Sequence, residues 1–250
     1  MEKEGGYVIV ACHQPNFMPW IGFFYKALLA DSLVLLDEVQ FPRGFHWVNR
    51  NRLKCDQGEL WLTVPAWKKG RGLMKINEVE IYDARGWTDK HFRSIVQNYT
   101  HAPYLTDHIE FLKNLYERKW TRLIDFNLEI LNYLKGTLGI QKNFILQSAL
   151  GLEGRGSELL VSVCKKLGGD VYLAPRVSQK YLDEQAFERS GIRIHYYTFS
   201  PPIYPQLWGD FVYNLSALDL LLNCGARSLE LIKRHSRGDL SSHPSASQER

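Results

Sequence analysis

Residues 7–37 read YVIVACHQPNFMPWIGFFYKALLADSLVLLD, and this stretch decides the fold class. Tyr7 to Cys12 form an apolar run of strand character that ends abruptly at His13, Gln14 and Pro15. A loop with Asn16 and Pro19 follows. Residues from Trp20 to Ala30 carry a helical pattern, and 33–37 (LVLLD) is a second short apolar run ending at Asp37. A connection of this length that contains a helix joins parallel strands, not a hairpin. The spacing therefore predicts strand, loop, helix and strand, with His13 and Asp37 on the same edge of a parallel sheet. Open α/β proteins bind ligands beyond that carboxyl edge, so chemistry is expected there.

Outward from this unit the alternation continues with one interruption. Residues 41–81 are aromatic and basic: FPRGFHWVNRNRLKC, the strand-like LWLTVPAW closed by Pro65, the loop KKGRG, and KINEVEIY, which alternates like another strand. We read them as a β-rich insertion or an extension of the sheet. From Trp87 to Gly139 the pattern is helical, with a breaker at Ala102-Pro103 and further helices over 106–119 and 121–138. A strand at 143–147, a helix at 156–167, a strand at 170–174, a short helix at 182–190 and a strand at 192–197 follow. Short helices at 216–223 and 228–235 precede a polar tail, 236–250, that is expected to be disordered. The expected architecture is α/β, a mainly parallel sheet flanked by helices. It carries the β-rich insertion and a helical middle in one domain over 1–235, with 84–140 as a candidate lobe.

Composition narrows the class of function. At 250 residues and 45% hydrophobic, the chain has enough apolar matter for one substantial α/β core or two small ones. The net charge is +4, but basic residues are interleaved with acidic ones, which argues against the clustered footprint of a nucleic-acid binder. An anionic small molecule suits the balance equally well. Cys12, Cys55, Cys164 and Cys224 are far apart with no C-x-x-C, and the histidines lack metal-ligand spacing, so no metal is expected. Phosphate-loop, dinucleotide and H-E-x-x-H motifs are missing. With no apolar run of about 18 residues and no leader pattern, a cytoplasmic protein without a membrane span is expected.

His13 is the first candidate for general acid–base work, because an imidazole titrates near neutrality and a strand end holds it beside a substrate. The plainer alternative is a histidine that bonds its own loop. Asp37 would orient His13 or bind a sugar hydroxyl, or else form a turn. Gln14, Asn16 and Trp20 share the loop with His13. In the run Asn49-Arg50-Asn51-Arg52, alternate residues face opposite ways. Arg50 suits a phosphate or carboxylate and Asn49 a hydroxyl, unless the segment is a charge-protected edge. Tyr181 and Asp183 stand at another strand end, where Asp183 equally suits a helix N-cap. Pro205 shapes a loop that presents Tyr204 and Gln206, or makes an ordinary turn. Lys68, Lys69 and Arg71 read as a solvated loop, Lys90 and His91 as an exposed helix face, and Cys12 as core. Ser157 and Ser216 lack a nucleophile elbow and read as helix starts, Ser216 with Asp219 at the capping-box position.

These residues, in order, resemble the WbqC-like family of bacterial proteins. The resemblance rests on His13-Gln14-Pro15, Pro19-Trp20, Gly22-Phe23-Phe24, Lys26, Ala30-Asp31, Asp37, Gln40-Phe41, Trp47-Val48-Asn49-Arg50-Asn51 and Trp61-Leu62-Thr63-Val64-Pro65. It continues through Tyr181-Leu182-Asp183, Phe187, Gly191-Ile192, Tyr204, Gln206, Ser216, Leu218-Asp219-Leu220, Asn223 and Gly225, so it spans about 8–226. The resemblance implies a role among surface-polysaccharide genes, O-antigen clusters included, in decorating a sugar with glycine or another acyl group. Where family members carry a glycine-containing loop, this chain has Ala174-Pro175-Arg176-Val177-Ser178-Gln179-Lys180. If that loop meets a ligand through its backbone, the departure implies a different ligand or affinity for this chain.

The expected function is thus a transferase acting on a nucleotide-linked or lipid-linked amino sugar, with no cofactor indicated. His13 would be the base, Asp37 its positioner and Arg50 the anion holder. The alternatives are a non-catalytic glycan or nucleotide-sugar binder that uses Trp20, Trp47, Trp61 and Trp67, and a nucleic-acid binder that uses 43–75.

Overall fold

The computed structural model describes residues 6–67, 70, 72–82 and 86–234; Lys68, Lys69, Arg71, His235 and the tail 236–250 lie outside the described residues. In chain order, β1 (Ile9–His13) leads through α1 (Ile21–Leu29) to β2 (Ser32–Leu35). A hairpin of β3 (Arg50–Cys55) and β4 (Gly58–Thr63) follows, then α2 (Trp87–Tyr99), α3 (Leu105–Glu117) and α4 (Leu123–Thr137). The chain returns to the sheet through β5 (Asn143–Leu146), α5 (Gln147–Leu150), α6 (Gly156–Lys166), β6 (Val171–Pro175), α7 (Glu184–Glu188) and β7 (Arg193–Tyr197). It ends in α8 (Ala217–Cys224) and α9 (Ser228–Arg234).

Five strands pair in the order β5-β2-β1-β6-β7, and every pairing is parallel. Parallel strands covered on both faces must be apolar throughout, and successive side chains divide between the faces. Ala11, Leu33, Leu35 and Leu173 face the larger core, with Phe23, Phe24 and Ala27 of α1. Val10, Cys12, Val34, Tyr172 and Ala174 face the smaller one, with Leu159 and Val163 of α6 and Phe187 of α7. The helical middle joins the larger core: Ile95, Tyr99, Leu112, Leu115, Phe126 and Ile130 belong to the same buried cluster as Phe17 and Phe23.

Two segments depart from the sequence reading. KINEVEIY is no strand; Ile76–Glu78 is a 3-10 turn, flanked by isolated bridges at Lys75, Glu80 and Ile81. Ile76 and Val79 are both fully buried. Their spacing is that of one tight turn, which resembles strand alternation over so short a stretch. The glycine-free loop after β6 also winds into a 3-10 helix, Arg176–Tyr181, in which Ser178 Oγ donates to the Pro175 carbonyl (2.7 Å). No residue of this loop takes a positive φ, so the conformation requires no glycine.

Candidate functional site

From β1 in the middle, the chain builds outward through β2 to β5, then crosses back to lay β6 against the other side of β1. Strand order therefore reverses between β1 and β6, the place where doubly wound sheets hold ligands. The ladders show the opening. β1 pairs with β2 from Val10–Ser32 to His13–Leu35. It pairs with β6 at Ile9–Val171 and Val10–Tyr172, although β1 continues to His13 and β6 to Pro175. The two strands part toward their carboxyl ends. At the opening of this candidate crevice the chain leaves β1 through His13 and its loop, and leaves β6 through the 3-10 segment with exposed Arg176, Val177, Lys180 and Tyr181.

The loop after His13 is held rigidly by carboxamides. Asn51 Nδ2 donates to the Phe17 and Met18 carbonyls (3.2 and 2.7 Å). Asn127 Nδ2 donates to the Pro15 and Val48 carbonyls (2.8 and 2.7 Å), and its buried Oδ1 has no partner among the described residues. The Phe17 N–H donates to the Trp47 carbonyl (3.0 Å). These contacts hold Met18 at φ 41 immediately before Pro19, a left-handed conformation that costs on the order of 1–3 kcal/mol. Trp20 lies flat across Gly22 at the start of α1; a Cβ there would meet the indole at 2.4 Å. Strain over-determined in this way is common where geometry serves function.

Half-buried His13 packs edge-on to Phe23, ring centroids 4.9 Å apart. Its Nδ1 lies 2.9 Å from the Gln14 carbonyl, so the proton sits on Nδ1 and Nε2 keeps its lone pair. Behind it, Lys26 reaches from α1 back toward the helix start, as helical side chains do, and donates from Nζ to the Cys12 carbonyl (3.1 Å). Lys26 is 6% exposed. Burial lowers its pKa from 10.5 to about 8. Burial, and then the Lys26 charge, lower that of His13 from 6.5 to about 3. The site therefore presents a neutral imidazole beside a buried ammonium.

The other residues singled out in the sequence divide between this crevice and structural work. Gln14 and Asn16 stay in the loop, their carboxamides without a hydrogen bond among the described residues. Asp37 shares the sheet edge with His13 but is not placed as its positioner. Its Oδ1 accepts the Ser148 N–H (3.0 Å) and its Oδ2 accepts Asn77 Nδ2 (3.3 Å), which ties β2 to the start of α5. Asn49 points inward and donates to the Val64 carbonyl (2.8 Å). Arg50 lies on the opposite face of β3, against Phe45 and Trp61. Asp183 caps α7, accepting the Ala186 N–H (3.2 Å), while Tyr181 is 77% exposed at the crevice rim. Tyr204 is buried with its hydroxyl on Asp219 (2.7 Å), and Gln206 bonds both backbone groups of Val212. Both are thus committed inside the fold. Ser216 caps α8, but Asp219 turns inward instead of closing a capping box.

His91 corrects the reading of an exposed helix face. It is buried, accepts the Thr63 N–H on Nε2 (3.2 Å) and packs against Trp87 and Tyr116, and burial lowers its pKa to about 4. The roles of Lys26, Asn51 and Asn127 were missed. A usable signal existed: Lys26 is the lone charge in the apolar helix WIGFFYKALLA, and Asn127 a lone amide within LIDFNLEIL. Among the described residues no group of His, Cys, Asp or Glu is arranged to hold a metal ion, and no helix is long and apolar enough to cross a membrane.

Topology defines a doubly wound parallel α/β protein, and the ends of β1 and β6 are its candidate ligand position. The chain belongs to the WbqC-like protein family, whose profile matches residues 14–231. It is 32% identical over 226 residues to an uncharacterised protein of Mycobacterium tuberculosis, an alignment covering 90% of this chain and 97% of the relative. No solved structure matches it.

Proposed function

We propose that the protein is a transferase that adds an acyl or aminoacyl group, such as glycyl, to an amino sugar during assembly of a bacterial surface polysaccharide. The observation that carries the reading is His13 at the end of the central strand, at the switch point, with Nε2 uncommitted and Lys26 behind it. The sugar amine would attack the acyl carbonyl of an activated donor. A C–N bond forms, the amine proton passes to His13 Nε2, and the bond to the leaving group breaks. The leaving group then takes the proton, and the imidazole returns to its starting state. Burial, and then the Lys26 charge, make His13 a weak base. An anionic donor, phosphate-linked for example, would offset that charge and raise its basicity. Asp37 has no part in this chemistry; it holds the sheet edge.

The test is transfer by the purified protein, with acyl or aminoacyl donors offered to nucleotide-linked amino sugars. His13→Ala should lower the rate by about 10²–10⁴ while the melting temperature changes little. An undiminished rate in His13→Ala would remove His13 from the mechanism. Tight binding of the same compounds without turnover would make the protein a binding module.

A further inference from the structure

The β3–β4 hairpin carries a second surface that the crevice chemistry does not use. A cavity of about 250 Å³ is lined by Trp20, Trp47, Asn51, Arg52 and Asn214. Its size falls below the roughly 300–1,000 Å³ of drug-sized sites, so it suits a single ring. Trp47 stacks on Trp61 with centroids 5.8 Å apart and planes at 20°, and Phe45 stands edge-on to both. Arg50 is not one of the residues that line this cavity; it lies against the neighbouring members of the slab, its guanidinium carbon 4.6 Å from the Trp61 ring centre and 4.9 Å from that of Phe45.

The polar groups are unequally committed. Arg52 is paired with Glu59 and donates to the Tyr213 carbonyl (3.1 Å). Asn51 is spent on the loop after His13. Arg50, in contrast, has no acid and no acceptor among the described residues; its Nε, like that of Arg52, is buried without a partner there. Asn214, held at φ 59, has an amide without a bond among the described residues. A guanidinium fixed by two aromatic rings and lacking a counter-ion is prepared for a carboxylate or phosphate. An indole wall with a carboxamide at its rim offers an apolar face and hydroxyl partners together.

We propose that this surface is a sugar subsite for one pyranose ring bearing a carboxylate or phosphate, the ring against Trp47 and the anion on Arg50. It extends the transferase reading by naming the class of sugar, and rests on that reading only for the reaction. A single-stranded nucleic acid fits less well, because tracking a backbone takes a row of unpaired cations and Glu59 already neutralises Arg52.

The test follows the indole N–H signals by NMR while titrating glucuronic acid, N-acetylglucosamine 1-phosphate, neutral N-acetylglucosamine, adenosine monophosphate and a short oligothymidylate. Binding of either acidic sugar is expected on the order of millimolar, with the neutral sugar about fivefold weaker or more. The acid that binds better identifies the anionic group. Arg50→Gln should erase the preference for charge while neutral binding persists. Trp47→Ala should lose all sugar binding, and Trp47→Phe should restore part of it. Equal binding of neutral and acidic sugars would overturn the proposal, as would sugar binding indifferent to Trp47→Ala or a preference for either nucleotide probe. His13→Ala should leave this binding intact. Loss with His13→Ala and retention with Trp47→Ala would place the sugar in the crevice, which sinks the subsite and spares the transferase reading.

Discussion

Two buried polar clusters in this molecule differ in how completely their charges are answered. Around Asp219, Tyr99 and Tyr204 donate hydroxyls to the two carboxylate oxygens (2.5 and 2.7 Å), and the Lys54 N–H donates to Tyr99 Oη (2.8 Å). Lys54 Nζ donates to the Asp210 carbonyl, and its charge acts on Asp219 against the upward pull of burial. This cluster joins the hairpin, α2 and α8, and the groups named in it are all partnered. Around Lys26 there is a buried ammonium, one carbonyl and a neutral imidazole, and no carboxylate of the described residues pairs with Lys26. Buried charge is costly in both places. A closed cluster recovers that cost in the folded protein itself, whereas an open one needs a binding partner. Openness at the crevice, not burial, separates the candidate site from the scaffold.

The comparison can be broken most directly at its closed end. Asp219→Ala should lose about 3–5 kcal/mol of unfolding free energy, read from the urea midpoint, because it orphans two tyrosine hydroxyls and removes the charge opposite Lys54. Asp219→Asn, which keeps an acceptor, should lose much less. If the two variants lose equally, the network is not what stabilises this junction.

At the open end the sign should reverse. Lys26→Met leaves no partner charge behind, so it should be neutral or stabilising by up to about 1–4 kcal/mol at pH 7. The folded pKa of Lys26 lies at about 8, below the ordinary 10.5, so between those values the unfolded chain holds a proton that the folded chain has released. Wild-type stability should therefore rise through that window relative to Lys26→Met, and the advantage of the methionine should shrink. Tyrosines whose pKa burial raises, such as Tyr197, act in the opposite direction at high pH but are common to both proteins. A pH-independent difference would place Lys26 in a screened environment and close the contrast.

Smaller effects sharpen the picture. Asn127→Leu should cost roughly 1–3 kcal/mol by freeing the Pro15 and Val48 carbonyls, and should raise amide exchange over 14–20 more than in the sheet. Uniform exchange across the molecule would mean the loop is not held by that clamp. Asp183→Ala should cost about 1 kcal/mol through loss of the α7 cap and leave transfer unchanged. A loss of activity there would bring the crevice rim back as a binding element.

Much of the fold was legible because its signals are local. Apolar runs such as 33–37 and 170–174, and glycine stops such as Gly191, mark elements that pack in the sheet wherever their neighbours come from. KINEVEIY failed because a single buried turn and a short strand can share a pattern. The site was legible in part. His13 lies where a strand-end argument puts it, and the alternation of Asn49 and Asn51 against Arg50 and Arg52 holds along β3. Tyr204 and Gln206 read as ligand groups because a loop displays its polar residues in sequence without showing what already occupies them. Asp219 and Val212 occupy them here.

The amino-acid sequence by itself determined the class of architecture, the strand-end position of His13 and the WbqC-like pattern, because these depend on local periodicity and residue type. Tertiary structure alone decided which polar groups are committed. Asp37 went to Ser148, Asp219 to two tyrosines from distant segments, and Asn127 to the loop after His13. Among the described residues it also left Lys26 buried without an acid and Arg50 stacked without one. Hydrogen bonds and desolvation depend on what the fold brings within about 3 Å, and no spacing along a chain encodes that distance.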